Sequence, residues 1–239
     1  MATVELDDVT IRYEDVGTGP RPVIFCKTHA LGAGDMYKGE PEQWQADFGR
    51  AMTWDYRGMG QSSRVSKYSL PLVASDLARL LDKLEIGSVI LYGYLWGGFF
   101  AQQFALDYPE KCAAMILDSS ASEANVAASE RWYQQSEKAK QDPEVAEEDR
   151  DYLSFAHRTI AGLREHPFTP RLKNITCPVL LLAGGKDHMG GAPAAVIMSR
   201  NLPNCELNII QEGGHGLIKE RPREVQQLVV DFCREHGVI

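Results

Sequence analysis

Residues 89–101, VILYGYLWGGFFA, contain the pattern that decides the fold. Four apolar residues come first, a turn with three glycines follows, and a second apolar run begins at Phe99. A short apolar run bounded by glycine is typical of a strand buried on both faces. The stretch therefore predicts a strand, a sharp turn and a helix in immediate succession.

The turn in this stretch has the spacing of the G-x-S-x-G motif, with one substitution. In that motif a serine sits on a strained turn beyond the end of a strand, and small neighbours let the strand and the next helix approach. Gly93 and Gly97 occupy the two glycine positions, and Leu95 occupies the serine position. Because its side chain has no oxygen or sulfur, Leu95 cannot attack a carbonyl carbon.

Length and charge restrict the class of protein and its partners. The chain has 239 residues, 44% of them hydrophobic, which is enough for a sizeable core. Its formal net charge of -8 disfavours nonspecific binding to nucleic acid and to anionic membranes, since both require a basic surface. We therefore expect a small-molecule partner and neither nucleic acid nor a membrane; the sequence predicts no particular oligomeric state.

Cysteine usage and the N-terminal residues predict a location. The five cysteines are scattered, and an odd number fits reduced thiols better than a disulfide framework. The first eight residues include acidic side chains where a signal peptide would have basic ones. No apolar stretch approaches the length of a membrane span. We predict a cytoplasmic protein.

Strand-like and helix-like segments alternate along the chain. Residues 4–15 alternate apolar and polar side chains, as expected for an antiparallel pair at a sheet edge. The alternation of strands with helices predicts an α/β fold with a doubly wound, mostly parallel, eight-stranded sheet. In such sheets ligands bind beyond the carboxyl ends of the strands. The remaining strands are predicted at residues 22–26, 51–55, 89–92, 113–118, 178–183 and 205–210.

One segment differs from the rest in composition. Residues 121–170 are rich in Ala, Glu, Lys and Gln, and they predict helices separated by polar breaks. Because the segment is short and strands resume after it, we interpret it as a helical cap. The cap is inserted into a core that comprises residues 1–120 and 171–239.

Five loops, each after a predicted strand, carry a family resemblance. Any one of these motifs alone would be weak, but together they occur in the chain order of the α/β-hydrolase superfamily. The chain resembles the small capped esterases, enol-lactonases and cofactor-free haloperoxidases of that superfamily over nearly its full length. The five loops are residues 29–32 (HALG), 55–62 (DYRGMGQS), 93–97 (GYLWG), 184–187 (GGKD) and 213–215 (GGH).

The resemblance implies roles for individual residues. His215 would be the general base, and Asp187 the carboxylate that orients its ring and stabilises the imidazolium. The backbone N–H groups of Leu31 and Trp96 would form the oxyanion hole, which needs no side chain and so survives the loss of the serine. We further assign His29, Ala30, Tyr94, Trp132 and Phe155 to a substrate site, with packing as the alternative role of the cap aromatics Trp132 and Phe155.

Other polar residues have different interpretations. Asp118, at the end of an earlier strand, is an alternative to Asp187 as the acid partner of His215. Asp55 and Arg57 are interpreted as structural, holding their loop by charge-assisted hydrogen bonds. The histidines have no metal-ligand spacing, and no dinucleotide-binding fingerprint follows the first strand, so we predict no metal and no cofactor.

Three interpretations of Leu95 remain open. In the first, the chain is a hydrolase for a small, largely apolar ester or lactone, and Leu95 prevents the hydrolysis. An engineered substitution would explain such a leucine, because positive φ costs a bulky residue on the order of 1–3 kcal/mol. In the second, a natural enzyme without a nucleophile uses His215 to activate water or to abstract a proton. In the third, the chain is a pseudoenzyme that only binds a small molecule. Rescue by another nucleophile is not expected, and Ser119 is the one alternative that we would test.

Overall fold

The computed structural model describes residues 2–27, 39–189 and 191–239. Within these ranges eight strands form one sheet in the order β1-β2-β4-β3-β5-β6-β7-β8. The strands are β1 Ala2–Leu6, β2 Val9–Gly17, β3 Val23–Cys26, β4 Arg50–Trp54, β5 Val89–Tyr94, β6 Cys112–Asp118, β7 Val179–Gly184 and β8 Cys205–Ile210.

The sheet is mostly parallel, as the sequence predicts. The pairs β1 with β2 and β2 with β4 are antiparallel, and they form the predicted edge. All further pairs, from β4 through β8, are parallel. The carboxyl ends of β5, β6, β7 and β8 therefore meet at one edge of the sheet, where ligands bind in folds of this class.

Helices cover both faces of the sheet. Their bounds are α1 Glu40–Phe48, α2 Leu70–Lys83, α3 Trp96–Asp107, α4 Val126–Ala139, α5 Glu147–Gly162, α6 Gly191–Ser199, α7 Leu217–Glu220 and α8 Pro222–Glu235, with short 3-10 helices at Pro109–Lys111 and Thr169–Asn174. In the part of the chain that the structure describes, no helix combines the length and the apolar character needed to cross a membrane.

Strand β5 shows how the core is divided between the two faces. Val89 and Leu91 pack into one buried cluster together with α2 and α3, whereas Ile90 and Tyr92 pack into the other together with α1 and α8. Successive side chains of a strand point to opposite faces. A strand that is buried on both faces therefore needs the continuous apolar run seen in the sequence.

Helices α4 and α5 lie between β6 and β7 in the chain and within the predicted cap segment, so we call this pair the cap. Tyr152 and Ala156 of α5 are buried against the larger cluster of the core. The indole N–H of Trp96, the first residue of α3, donates to the carbonyl oxygen of Ala156 at 3.2 Å. The cap thus packs directly on the turn that follows β5.

Candidate active site

The turn between β5 and α3 is sharply bent at Leu95. Its backbone angles are φ 51° and ψ -116°. Among the described non-glycine residues only Glu85, Leu95 and Ser119 have positive φ. Such a conformation is unfavourable for a side chain with a Cβ and persists only where surrounding contacts impose it. The sequence expectation of a strand, a sharp turn and a helix is met.

The neighbouring glycines impose this conformation. A Cβ on Gly97 would collide with the backbone oxygen of Cys26, at the end of β3. A Cβ on Gly93 would lie 2.7 Å from the Cα atom of Gly98, which is closer than real Cβ contacts. Strand β3, strand β5 and helix α3 therefore meet at a distance that only glycine allows. The carbonyl oxygen of Leu95 also accepts a hydrogen bond from the hydroxyl of Ser120 at 3.0 Å.

His215 and Asp187 contact each other at the tips of β8 and β7. Nδ1 of His215 lies 2.8 Å from Oδ2 of Asp187. The carboxylate of Asp187 also accepts the backbone N–H groups of Met189 at 2.8 Å and Gly191 at 3.1 Å, and its side chain has no exposed surface. A carboxylate held by three donors fixes the ring of His215 and favours the tautomer with the proton on Nδ1.

The other ring nitrogen of His215 is buried and has no hydrogen-bond partner among the residues that the structure describes. His215 and Leu95 line the same cavity. In a serine hydrolase this nitrogen accepts the proton of the nucleophile. A buried nitrogen without a partner costs about 1–3 kcal/mol, and the isobutyl group of Leu95 offers no hydrogen bond to offset that cost.

One of the two predicted oxyanion donors can be placed. Trp96 is the first residue of α3, and the first N–H groups of a helix have no acceptor within the helix and carry the positive end of its dipole. Leu31, the second predicted donor, lies outside the described residues. The same holds for His29 and Ala30, which the sequence assigns to the substrate site.

A cavity of about 320 Å³ adjoins Leu95 and His215. Its size is within the range typical of small-molecule sites, and most of its wall is apolar. Glu123 and Arg131 are the charged residues of its lining. The apolar wall comes from α3, the cap and α6, and it includes Phe99, Trp132, Ile160, Leu163, Pro193 and Ile197.

The three aromatic residues predicted to line the substrate site differ in their position relative to the cavity. Trp132 lines the cavity, but Tyr94 and Phe155 do not. Tyr94 is buried, with its ring centroid 6.1 Å from that of His215, and burial together with nearby Asp118 and Asp187 raises the pKa of its phenol to about 12. Phe155 stacks on Tyr68 at 5.3 Å. Both rings therefore pack behind the residues that line the cavity.

Asp118 and Ser119 lie at the tip of β6, next to Leu95. Asp118 accepts the hydroxyl of Tyr92 at 2.7 Å and that of Ser119 at 2.9 Å, whereas the ring of His215 is hydrogen-bonded to Asp187. Burial raises the pKa of Asp118 to about 6, although these two hydrogen bonds oppose the shift. Asp187, rather than Asp118, is therefore in position to orient His215. Ser119 also lines the cavity.

Asp55 and Arg57 each have a separate ionic partner. Asp55 pairs with the buried ammonium group of Lys27 and accepts the backbone N–H of Gln61 at 2.9 Å. Arg57 makes two hydrogen bonds of 2.6 Å to Asp76. Both residues therefore stabilise their loop, as the sequence suggests, and each does so through a different ionic partner. Within the described ranges no group of three or more His, Cys, Asp or Glu side chains is arranged to hold a metal ion.

Sequence reasoning missed several residues of the cavity wall. Met189 and Ile197 come from the loop and the helix after β7, and Ser120 follows β6 directly, next to Ser119, which the sequence suggests only as an alternative nucleophile. The signal that could have identified these positions is their place beyond the carboxyl ends of two parallel strands. Their side chains carry no reactive motif, so the pattern search passed over them.

Comparisons with known proteins agree with the fold described above. A family model described as the alpha/beta hydrolase fold matches residues 50–157. The poly(3-hydroxyalkanoate) depolymerase of Ectopseudomonas oleovorans is 28% identical over 98% of this chain and 92% of its own length. The 3-oxoadipate enol-lactonase 2 of Acinetobacter baylyi is 23% identical over 95% of this chain and 94% of its own length.

A solved structure adds a likeness of fold. The thermophilic esterase of Thermogutta terrifontis superposes with a TM-score of 0.79, at 24% sequence identity, over 99% of each chain. At that level of identity the superposition shows a common arrangement of strands and helices.

Proposed function

We propose that this chain, which has the α/β-hydrolase fold, is a scaffold for hydrolysis of a small, largely apolar ester or lactone in which Leu95 stands in place of the nucleophile. One observation carries the proposal. Leu95 stands on the strained turn where a nucleophile would stand, and it shares a cavity with His215, whose Nε2 is buried without a partner.

The remaining groups supply every catalytic function except attack. The pair of Asp187 and His215 would take a proton from a hydroxyl at residue 95 and return it to the leaving group. The N–H of Trp96, at the positive end of α3, would stabilise the oxyanion of a tetrahedral intermediate. Because Leu95 brings no atom that can form a bond to the acyl carbon, no acyl-enzyme forms at this position.

The cavity wall and the relatives support the class of substrate. An apolar wall with few charges favours a small ligand without multiple charges. The relatives are named as a depolymerase of a polyester, an enol-lactonase and an esterase, and all three names denote cleavage of ester or lactone bonds. Which ester or lactone this cavity accepts depends on the fit of its apolar part against Trp132 and Ile160.

Activation of water by His215 receives less support from the geometry. A general base has to lie within hydrogen-bond distance of the water that it deprotonates. Nε2 of His215 is shielded from solvent, although a quarter of the side chain is exposed. A binding protein without chemistry is the better second candidate, because Leu95 adds one more apolar surface to an otherwise intact cavity.

Replacement of Leu95 by serine tests the proposal. Loss of the serine from a triad lowers kcat by about 10⁶-fold, so Leu95→Ser should raise kcat/KM for short p-nitrophenyl esters by roughly 10³-fold or more. Leu95→Ala is the matched control, since it removes the same bulk without adding a hydroxyl. A fluorophosphonate should modify residue 95 of the serine variant and leave Ser119 unmodified, as peptide mass spectrometry would show.

A folded Leu95→Ser variant that is no faster than Leu95→Ala would refute the proposal. Ligand binding then separates the second candidate: a pure binding protein keeps its affinity for a nonhydrolysable ester analogue when His215 is replaced by alanine.

A further inference from the structure

Two thiols face each other at the end of the sheet remote from Leu95 and His215. Cys112 is the first residue of β6, and Cys177 lies two residues before the start of β7. Their Sγ atoms are 3.7 Å apart, although the residues are 65 positions apart in sequence. Strand β6 has seven residues, so about 20 Å separates this pair from the tip of β6 beside the candidate active site.

The positions of the two residues suit a covalent bond between them. Strands β6 and β7 are parallel neighbours, with Met115 opposite Val179, so the segments just before this pair also run side by side. Neighbouring strands lie about 4.8 Å apart, which falls within the separations of about 4.4–6.8 Å found between Cα atoms of disulfides. The sulfur atoms would have to approach each other by less than about 2 Å, since the bond length is about 2.05 Å.

The environment distinguishes the two thiols. Cys112 is buried, whereas Cys177 is partly exposed. The hydrogen bond between them lowers the pKa of Cys177, and the same bond together with burial raises the pKa of Cys112. The thiolate therefore forms first at Cys177, which is also the sulfur that a dissolved reagent reaches first.

We propose that Cys112 and Cys177 are a modification site that forms a reversible disulfide on reaction with a low-molecular-weight disulfide such as oxidised glutathione. The Cys177 thiolate attacks one sulfur of the reagent, the sulfur–sulfur bond breaks, and one glutathione thiolate leaves. Cys112 then loses its proton to solvent and attacks Sγ of Cys177, which releases the second glutathione. Two protein thiols are oxidised by two electrons, and one glutathione disulfide is reduced to two thiols.

The disulfide would close the crossover from β6 to β7, which contains the cap. The chain between Cys112 and Cys177 contains β6, α4 and α5, so closing it restricts a long segment of the unfolded chain. The folded state changes little, because the sulfur atoms are already in contact. The oxidised form is therefore the more stable one, and the cavity at the other end of the sheet keeps its shape.

Cys205 provides a matched control within the same region. It is partly exposed, like Cys177, and it lies on β8 next to β7. Its thiol donates to the carbonyl oxygen of Ser199 at 3.6 Å, and burial raises its pKa. A partly exposed thiol without this arrangement is not expected to take part in the bond.

The experiment treats the folded, reduced full-length chain with oxidised glutathione and measures intact mass, linked peptides and Tm. The unaltered protein should lose the mass of two hydrogen atoms, yield a peptide that joins Cys112 to Cys177, and gain roughly 5 °C or more in Tm. Cys112→Ser should instead retain one glutathione on Cys177, with no gain in Tm. Cys205→Ser should behave like the unaltered chain.

Two results would overturn the proposal. One is an unaltered protein in which both thiols stay free, or in which glutathione remains on Cys177, at a concentration that oxidises the same chain when it is unfolded. The other is closure that includes Cys205 in place of Cys112. Because the measurement does not involve an ester, its outcome is independent of the function proposed for Leu95 and His215.

Discussion

The two halves of the candidate active site differ in whether they combine the geometry of a catalytic site with its chemical groups. At the tips of β7 and β8, Asp187 and His215 retain both the geometry and the chemical groups of an acid–base pair. At the tip of β5, Leu95 retains the geometry of a nucleophile turn without the chemical group. The difference shows that the turn is shaped by backbone contacts of the glycines around it and does not depend on a serine.

The largest expected effect comes from a variant that has a nucleophile at residue 95 together with His215. In the Leu95→Ser background, His215→Ala should abolish the gained esterase activity, with a loss of about 10³-fold or more in kcat/KM, because an unassisted serine hydroxyl is a weak nucleophile. Steady-state kinetics with a short p-nitrophenyl ester measure this loss. In the Leu95→Ala background the same replacement should change almost nothing, and an equal loss there would contradict the assigned role.

The second effect tests what shapes the nucleophile half. Gly97→Ala should destabilise the protein by about 3 kcal/mol or more, because its Cβ would collide with the backbone oxygen of Cys26. Gly87→Ala is the control, since a Cβ there meets no atom within 4 Å, and alanine should stabilise slightly. Denaturant unfolding measures both. Equal stability of the two variants would mean that β3 and α3 are not in close contact.

The third effect concerns Asp118, which lies at the strand tip between the two halves. Burial raises the pKa of its carboxyl group from the ordinary value of 3.8 to about 6 in the folded protein. Because the folded state binds the proton more tightly, the contribution of Asp118 to stability is greatest below pH 4 and falls as the pH rises to about 6. The expected decrease is roughly 3 kcal/mol.

Asp118→Asn isolates this contribution, since an amide stays neutral at every pH. The stability of the variant relative to the unaltered protein should rise between pH 4 and pH 6 and then level off. Urea unfolding at a series of pH values measures the difference. A constant difference would show that the carboxylate of Asp118 is ionised in the folded state already at pH 4.

The sequence predicted the sheet and the order of the reactive loops because both depend on local patterns. Apolar runs identified the strands, and the alternating residues 4–15 identified the antiparallel pair at the sheet edge. The pairing of Asp187 with His215 was implied by the resemblance to the α/β-hydrolase superfamily, with Asp118 as the alternative acid, and the structure places Asp187 in contact with His215. Whether these residues have the proposed roles stays a prediction that kinetics will decide.

Other features depend on which way a side chain faces, and the sequence alone does not determine that. Phe155 and Trp132 are both cap aromatics, but one packs against Tyr68 and the other lines the cavity. The contact of Cys112 with Cys177 depends on the pairing of β6 with β7 across the whole cap segment. Such long-range contacts are set by packing of the complete fold and leave no local pattern.

The smallest expected effect measures the backbone strain at Leu95. At an ordinary position inside a helix alanine is more stable than glycine by about 0.5–1 kcal/mol, and exposed Gln135, in the interior of α4, provides that reference. At residue 95, where φ is positive, the order should reverse, so that Leu95→Gly is more stable than Leu95→Ala by about 1 kcal/mol. Both variants lose the same isobutyl group, so the difference between them isolates the backbone. If alanine is the more stable residue at both positions, the turn has relaxed around leucine, and a serine placed there would not point towards His215.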